Sequence, residues 1–93
     1  MANNKDYGGN KTKTTKFYQD IYNRIQSAIE YAKADQAYAR VLLNSNDKRT
    51  EREGQTLLKS AFARLGEQRK ALGIFKSDCN RALARGEISK FWE

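Results

Sequence analysis

The sequence predicts an all-α fold: an antiparallel two-helix hairpin, completed by oligomerisation, with a flexible basic N-terminal arm. Three observations support this prediction: two long stretches with apolar residues every three or four positions, a polar turn between them, and no proline anywhere in the 93 residues. Proline would kink or end a helix, so neither stretch contains that kind of break. We expect residues 1–16 to form the arm and residues 17–93 to form a single helical-hairpin domain.

The first predicted helix follows a polar segment. Residues 1–16 contain glycine and almost no aliphatic side chains, so they bury too little apolar surface to offset the entropy lost on ordering. Apolar residues with helical spacing begin at Phe17 and continue to about Leu43, which predicts an amphipathic helix. Residues 44–47, Asn-Ser-Asn-Asp, favour local side-chain hydrogen bonds and therefore predict a short turn.

The second predicted helix begins at a capping box, in which Thr50 and Glu53 would satisfy each other's free backbone donors. Gly86 is expected to follow its last turn, and residues 87–92 are expected to add one short helical turn. Its apolar seam has heptad spacing and consists of Gly54, Leu58, Ala61, Leu65, Gln68, Leu72, Phe75, Cys79 and Ala82.

The composition disfavours catalysis and cofactor binding. Histidine is absent and Cys79 is the single cysteine, so the usual general base and metal ligand are missing and no internal disulfide can form. No phosphate-binding loop or nucleophile elbow is present. The N-terminus lacks the apolar core of a signal peptide, and no apolar run is long enough to span a membrane. We expect a non-catalytic cytoplasmic protein without a metal or cofactor.

The positive charge predicts an anionic partner. The formal net charge is +7, and the excess lies in residues 1–16 and 46–93, while residues 17–45 are neutral. The far side of the second helix carries spaced cations, Arg52, Lys59, Lys70 and Arg81, here called the basic track. Lys11, Lys13 and Lys16 in the arm would add phosphate contacts. The leading hypothesis is binding of DNA or RNA without sequence recognition.

Gly66 and Gly73 lie on the face of the basic track, and each costs a helix about 1 kcal/mol relative to alanine. The sequence leaves three explanations open. The glycines smooth the track so that a nucleic acid can approach, or they break the helix and leave its cations merely solvated. The third explanation is close packing of another helix against them.

Unpaired apolar residues support a second hypothesis, a protein-interaction module. One seam between two helices leaves several apolar side chains uncovered, which favours a homo-oligomer or a partner with an acidic surface. The residues expected to dock are Phe62, Ile74, Ile88, Phe91 and Trp92. A third hypothesis is a pocket between subunits for a small anionic ligand such as a nucleotide, lined by Tyr18, Tyr31, Lys33 and Arg40.

For several individual polar and aromatic residues we expect a structural role rather than a role in binding a ligand. Gln36 and Gln68 fall on seam positions, where a polar residue usually fixes register. Asp35 is expected to pair with an arginine of the opposite helix or of another subunit. Cys79 is expected to be buried filler. Tyr31 and Tyr38 are more often interface residues than platforms for stacking bases.

Overall fold

A computed structural model of the chain describes residues 2–92, with the side chains of residues 11–92. Helix α1 spans Ala2–Leu43 and helix α2 spans Lys48–Ala84. The two helices pack against each other as an antiparallel hairpin that measures 71 × 18 × 17 Å. The predicted all-α hairpin is confirmed, and residues 2–92 contain no strand.

Helix α1 begins well before the predicted start at Phe17. It is 42 residues long and includes most of the segment that was expected to be an arm. The flexibility of residues 1–16 stays a prediction, and the side chains of residues 1–10 lie outside the described part. Thr15 links this segment to the end of the chain, because its Oγ1 accepts a hydrogen bond of 2.9 Å from the backbone N–H of Ser89.

The predicted turn over residues 44–47 is confirmed. The backbone N–H groups of Asn44 and Ser45 donate to carbonyl oxygens in the last turn of α1, at 3.2 and 3.1 Å. The Ser45 hydroxyl then accepts a hydrogen bond of 3.2 Å from the N–H of Asp47. These bonds occupy backbone groups that would otherwise be left free at the end of α1.

The predicted capping box at Thr50 is wrong. Asp47 is the N-cap residue of α2, with extended backbone angles, and its carboxylate accepts a hydrogen bond of 3.1 Å from the N–H of Arg49. The Thr50 hydroxyl also donates to this carboxylate, at 3.0 Å. An aspartate is a strong N-cap, so it starts the helix at Lys48 and leaves Thr50 inside the first turn.

Gly86 ends α2 as predicted. Its φ angle is +73°, a conformation that glycine adopts without a steric penalty. The N–H of Gly86 donates to the Leu83 carbonyl at 3.0 Å, and the N–H of Glu87 donates to the Ala82 carbonyl at 2.9 Å. This pair of bonds is a Schellman motif. Residues 87–92 are not helical, so the predicted last turn is wrong: the left-handed glycine redirects the chain.

The interface between the helices follows the predicted seam. Gly54, Ala61, Leu65, Cys79 and Ala82 are buried on α2, and the buried residues on α1 include Ile29, Ala32, Gln36 and Ala39. One apolar cluster joins Ile29 and Ala32 to Leu65 near the middle of the hairpin. A second cluster surrounds Cys79, Ala82 and Ile88 near its open end. Small residues at several of these positions let the two helices lie close together.

Two polar residues of α1, Asp35 and Gln36, lie at or beside the helix interface. Arg64 on α2 donates to a carboxylate oxygen of Asp35 on α1 at 2.6 Å, which confirms the expected ion pair and places it within one chain. Both side chains are more than a third exposed, so the pair contributes little stability. Gln36 is 8% exposed and its Nε2 has no hydrogen-bond partner.

Candidate nucleic-acid interface

Helix α2 is continuous through Gly66 and Gly73. The proposed break at these glycines is therefore wrong. Both glycines are exposed, and a methyl group built on either one would meet no atom within 4 Å. Neither glycine packs against α1, so the two positions form an open strip on the outer surface of the helix.

The continuity of α2 keeps the basic track in line. Arg52, Lys59, Lys70 and Arg81 are all exposed. At 3.6 residues per turn they fall within about 40° of one another, and they extend over roughly 43 Å of helix. Buried residues such as Ala61 and Cys79 lie on the opposite side of α2, so Arg52, Lys59 and Lys70 point away from α1. Arg81, at the end of the track, also borders the space between the two helices.

Most of the track is free of internal ion pairs. Arg81 lies 3.7 Å from Asp78 one turn earlier, and both side chains are more than half exposed. A pair of this kind is weak and exchanges readily with solvent or another anion. Arg52, Lys59 and Lys70 form no salt bridge with any residue whose side chain the structure describes.

The three arm lysines lie on the N-terminal half of α1 and are exposed. Because the helices run antiparallel, this half of α1 lies beside the C-terminal end of α2. Tyr18 confirms that placement, since its ring stacks on the ring of Phe75 with centroids 5.7 Å apart. Lys11, Lys13 and Lys16 are thus near the Arg81 end of the track and remote from its Arg52 end.

The residues expected to form a docking surface are dispersed. Phe62 and Ile74 are 52% and 59% exposed, but they differ by about 120° in direction and by about 18 Å along α2. Ile88 is only 1% exposed, so its side chain is not available to a partner.

Phe91 and Trp92 are half-buried and pack on the same cluster as Ile88. The ring of Phe91 makes an edge-to-face contact with Tyr22, at a centroid distance of 5.6 Å. The expected free cluster of Ile88, Phe91 and Trp92 is instead part of the chain's own core, because the redirected chain after Gly86 folds back onto α1.

The residues of the suggested ligand pocket do not meet within one chain. Tyr18 and Tyr31 line different cavities, and they are separated by about 20 Å of helix. Lys33 pairs with Glu30 on its own helix at 3.6 Å. Arg40 lies in the last turn of α1, where a cation suits the helix dipole.

One feature near the open end was not predicted. A cleft of about 240 Å³ lies between the helices, and its lining residues are Phe17, Tyr18, Ile21, Phe75, Asp78, Arg81 and Arg85. Arg85 donates to Glu87 at 3.0 Å, and this hydrogen bond raises the pKa of Arg85, which remains a permanent cation. The i, i+4 spacing of Arg81 and Arg85 was the available sequence signal, because an antiparallel hairpin brings them opposite Phe17.

Cys79 lies on the buried side of α2 and is fully covered. Burial, with a smaller effect from the Asp78 charge, raises the pKa of its thiol. A neutral, covered thiol is a poor nucleophile. In the described part of the chain, no group of three or more His, Cys, Asp or Glu residues is placed where it could hold a metal ion.

Comparison with known proteins gives no relative for this chain: no family model, curated protein or solved structure matches it. Across the part of the chain that was described, neither helix has an apolar stretch long enough to cross a membrane. A functional assignment therefore depends on the surface of the hairpin itself.

Proposed function

We propose that this protein binds nucleic acid without catalysis, chiefly through phosphate contacts made by the basic track. The observation that carries the proposal is the uninterrupted α2, which holds four exposed cations in line on the side opposite the helix interface. Lys11, Lys13 and Lys16 are exposed on α1 near the Arg81 end of the track, where they would add phosphate contacts.

The physical basis is the release of counterions from a polyanion. Each lysine or arginine that neutralises a phosphate releases condensed cations, so binding weakens as salt increases. Four track contacts give an expected slope of log K against log salt of about −2.8 on a single strand and −3.6 on a duplex. Phosphate contacts fix position without conveying sequence, so we expect similar affinity for unrelated sequences of equal length.

The test is a salt titration of binding to labelled 20-nucleotide DNA and RNA, single-stranded and duplex, followed by fluorescence anisotropy. The double variant Lys59→Glu, Lys70→Glu should abolish measurable binding at moderate salt. A control variant, Lys33→Glu with Arg40→Glu, lowers the net charge equally on α1 and should bind nearly as well as the parent chain.

The two double variants separate a track from a general charge effect. Equal losses in both would show that only net charge matters, which contradicts the track. Binding that is insensitive to salt would contradict phosphate contacts altogether. Helical circular dichroism of each variant checks that the hairpin is retained.

A second candidate function is self-association, and the outer face of α1 favours it. Tyr31, Tyr38 and Val41 are 72%, 59% and 66% exposed. Together with Ala34 they have the three-four-three spacing of a helix-packing seam, on the side of α1 that faces away from α2. The mass in solution, measured with and without nuclease, tests this candidate: a monomer in both samples would exclude it.

A further inference from the structure

We propose that the cleft between Phe17 and Arg81 receives an unpaired base, so that the protein prefers single-stranded over duplex nucleic acid. This inference rests on the proposed function and specifies its substrate class. It is drawn from an exposed aromatic ring, two arginines beside it and the size of the cleft between them.

The aromatic ring is presented to solvent in a fixed position. Phe17 is 63% exposed although it is a large apolar residue. Its ring makes an edge-to-face contact with Tyr18, at a centroid distance of 6.2 Å, and Tyr18 in turn stacks on Phe75. A supported ring with an open face is the platform on which unpaired bases stack, whatever their identity.

Cations flank the ring on both sides. Arg81 and Arg85 line the same cleft, and Arg81 is also the last residue of the basic track. On α1, Lys13 precedes Phe17 by four residues and therefore lies next to it on the helix surface. A strand that follows the track would pass from Lys70 to Arg81, place a base on Phe17 and continue to Lys13.

Two carboxylates lie in or near the cleft, Asp78 and Glu87, and they do not prevent a strand from binding there. Asp78 is loosely paired with Arg81 at 3.7 Å, and Glu87 accepts from Arg85 at 3.0 Å. All four side chains are close to half exposed or more, so each pair is weak against a phosphate that also satisfies the guanidinium.

The size of the cleft argues for a base in a strand. Its volume of about 240 Å³ is below the range of roughly 300–1,000 Å³ usual for small-molecule sites. A free nucleotide would find little enclosure here, whereas a strand already held by the track needs to supply only one base. In a duplex that base would first have to leave the stack.

The experiment compares Phe17→Ala with the control Phe62→Ala, since Phe62 is a similarly exposed phenylalanine that does not line the cleft. Binding is measured by anisotropy with oligothymidine and oligouridine of 20 nucleotides and with a 20-base-pair duplex. We expect Phe17→Ala to weaken single-strand binding about tenfold and to leave duplex binding unchanged. Phe62→Ala should change neither affinity, and Phe17→Trp should restore the single-strand preference.

The results distinguish this inference from the proposed function. If Phe17→Ala binds single strands as tightly as the parent, or loses duplex affinity equally, the base site is wrong while a salt-dependent track still stands. If the parent chain binds none of the three probes, both proposals fail. The slope against salt should be the same in Phe17→Ala and the parent, because no charge is removed.

Discussion

Thr15 and Ser89 are 74 positions apart and are joined by a hydrogen bond of 2.9 Å, from the backbone N–H of Ser89 to Oγ1 of Thr15. The same hydroxyl donates to the Lys11 carbonyl at 2.7 Å. Thr15 therefore connects the C-terminal tail to α1 beside the cluster that contains Ile88. This hydrogen bond and the packing of Ile88, Phe91 and Trp92 in the cluster hold the tail against α1.

Replacing Thr15 by valine should loosen the tail. The substitution keeps the shape of the side chain and removes the acceptor for Ser89, so we expect a loss of about 0.5–1.5 kcal/mol in the free energy of unfolding. Trp92 lies in this tail, so its fluorescence in urea reports the change. Thr15→Ser keeps the hydroxyl and should lose clearly less, and an equal loss in both variants would contradict the role of the hydrogen bond.

Gly54 should not tolerate alanine. A methyl group at this position would lie 2.9 Å from the Ala39 carbonyl oxygen and 2.9 Å from Cβ of Leu42, and a backbone oxygen cannot move aside without shifting α1. We expect Gly54→Ala to destabilise the hairpin by about 1–3 kcal/mol despite the better helix propensity of alanine. Urea unfolding followed by circular dichroism measures this, and unchanged stability would show that the helices are less closely packed.

Gly66 and Gly73 should respond in the opposite direction. Neither has an atom within 4 Å of the added methyl group, so alanine brings only its gain in helix propensity. Each substitution should raise the free energy of unfolding by about 0.5–1 kcal/mol. The same urea experiment tests this, and a loss of stability would mean that the helix requires glycine at these positions.

Variants of Gly66 and Gly73 also test whether nucleic-acid binding needs an open surface along the basic track. Gly66→Leu with Gly73→Leu would place two bulky side chains between the cations, and we expect weaker nucleic-acid binding in a protein that remains folded. The alanine pair is the control and should bind like the parent chain. Unimpaired binding in the leucine pair would show that an open surface at the glycines is not needed.

The sequence pattern predicted the seam but not the ends of the elements. Three-four spacing is enough to bury Leu65 and Cys79, because any antiparallel partner must cover that side of α2. The start of α2 was misassigned because both Asp47 and Thr50 are good caps, and only the path of the turn selects Asp47. The fold of residues 87–92 depends on contacts with α1, which lie far away in sequence.

The candidate site was only partly predictable for the same reason. The alignment of Arg52 with Arg81 follows from helix periodicity alone, once the helix is known to be continuous. The sequence leaves the continuity of α2 undecided. The low helix propensity of Gly73 favours a break, whereas the apolar seam on the opposite side of α2 favours one continuous helix. The i, i+4 spacing of Arg81 and Arg85 indicates a local pair of cations, but the cleft beside Phe17 forms only when the two helices are brought together.

Cys79 should make stability depend on pH in the alkaline range. Burial raises the pKa of its thiol above the ordinary value of 9.0, so the unfolded chain ionises at lower pH than the folded one. The resulting stability is present below about pH 9 and falls as the pH rises toward the folded pKa. Urea unfolding at pH 7.5 and 9.5 should show this fall, and Cys79→Ala should show less of it; identical pH dependence would contradict the assignment.

Gln36 is a buried polar residue that lowers the stability of the helix interface. It is buried on α1 and its Nε2 has no hydrogen-bond partner, so the desolvation of that donor is not offset. Gln36→Met has a similar shape and no donor, and we expect it to raise the free energy of unfolding by about 1–3 kcal/mol. Thermal and urea unfolding measure the gain.

If Gln36 fixes the register of the two helices, Gln36→Met should also change how uniquely the hairpin folds. A polar residue at a seam position penalises alternative pairings in which it would face other apolar side chains. Gln36→Met should therefore unfold less cooperatively or populate more than one species on size-exclusion chromatography, whereas Leu65→Met, an apolar exchange in the same interface, should keep a single species. A more stable Gln36→Met that remains a single cooperative species would show that the amide does not fix the register.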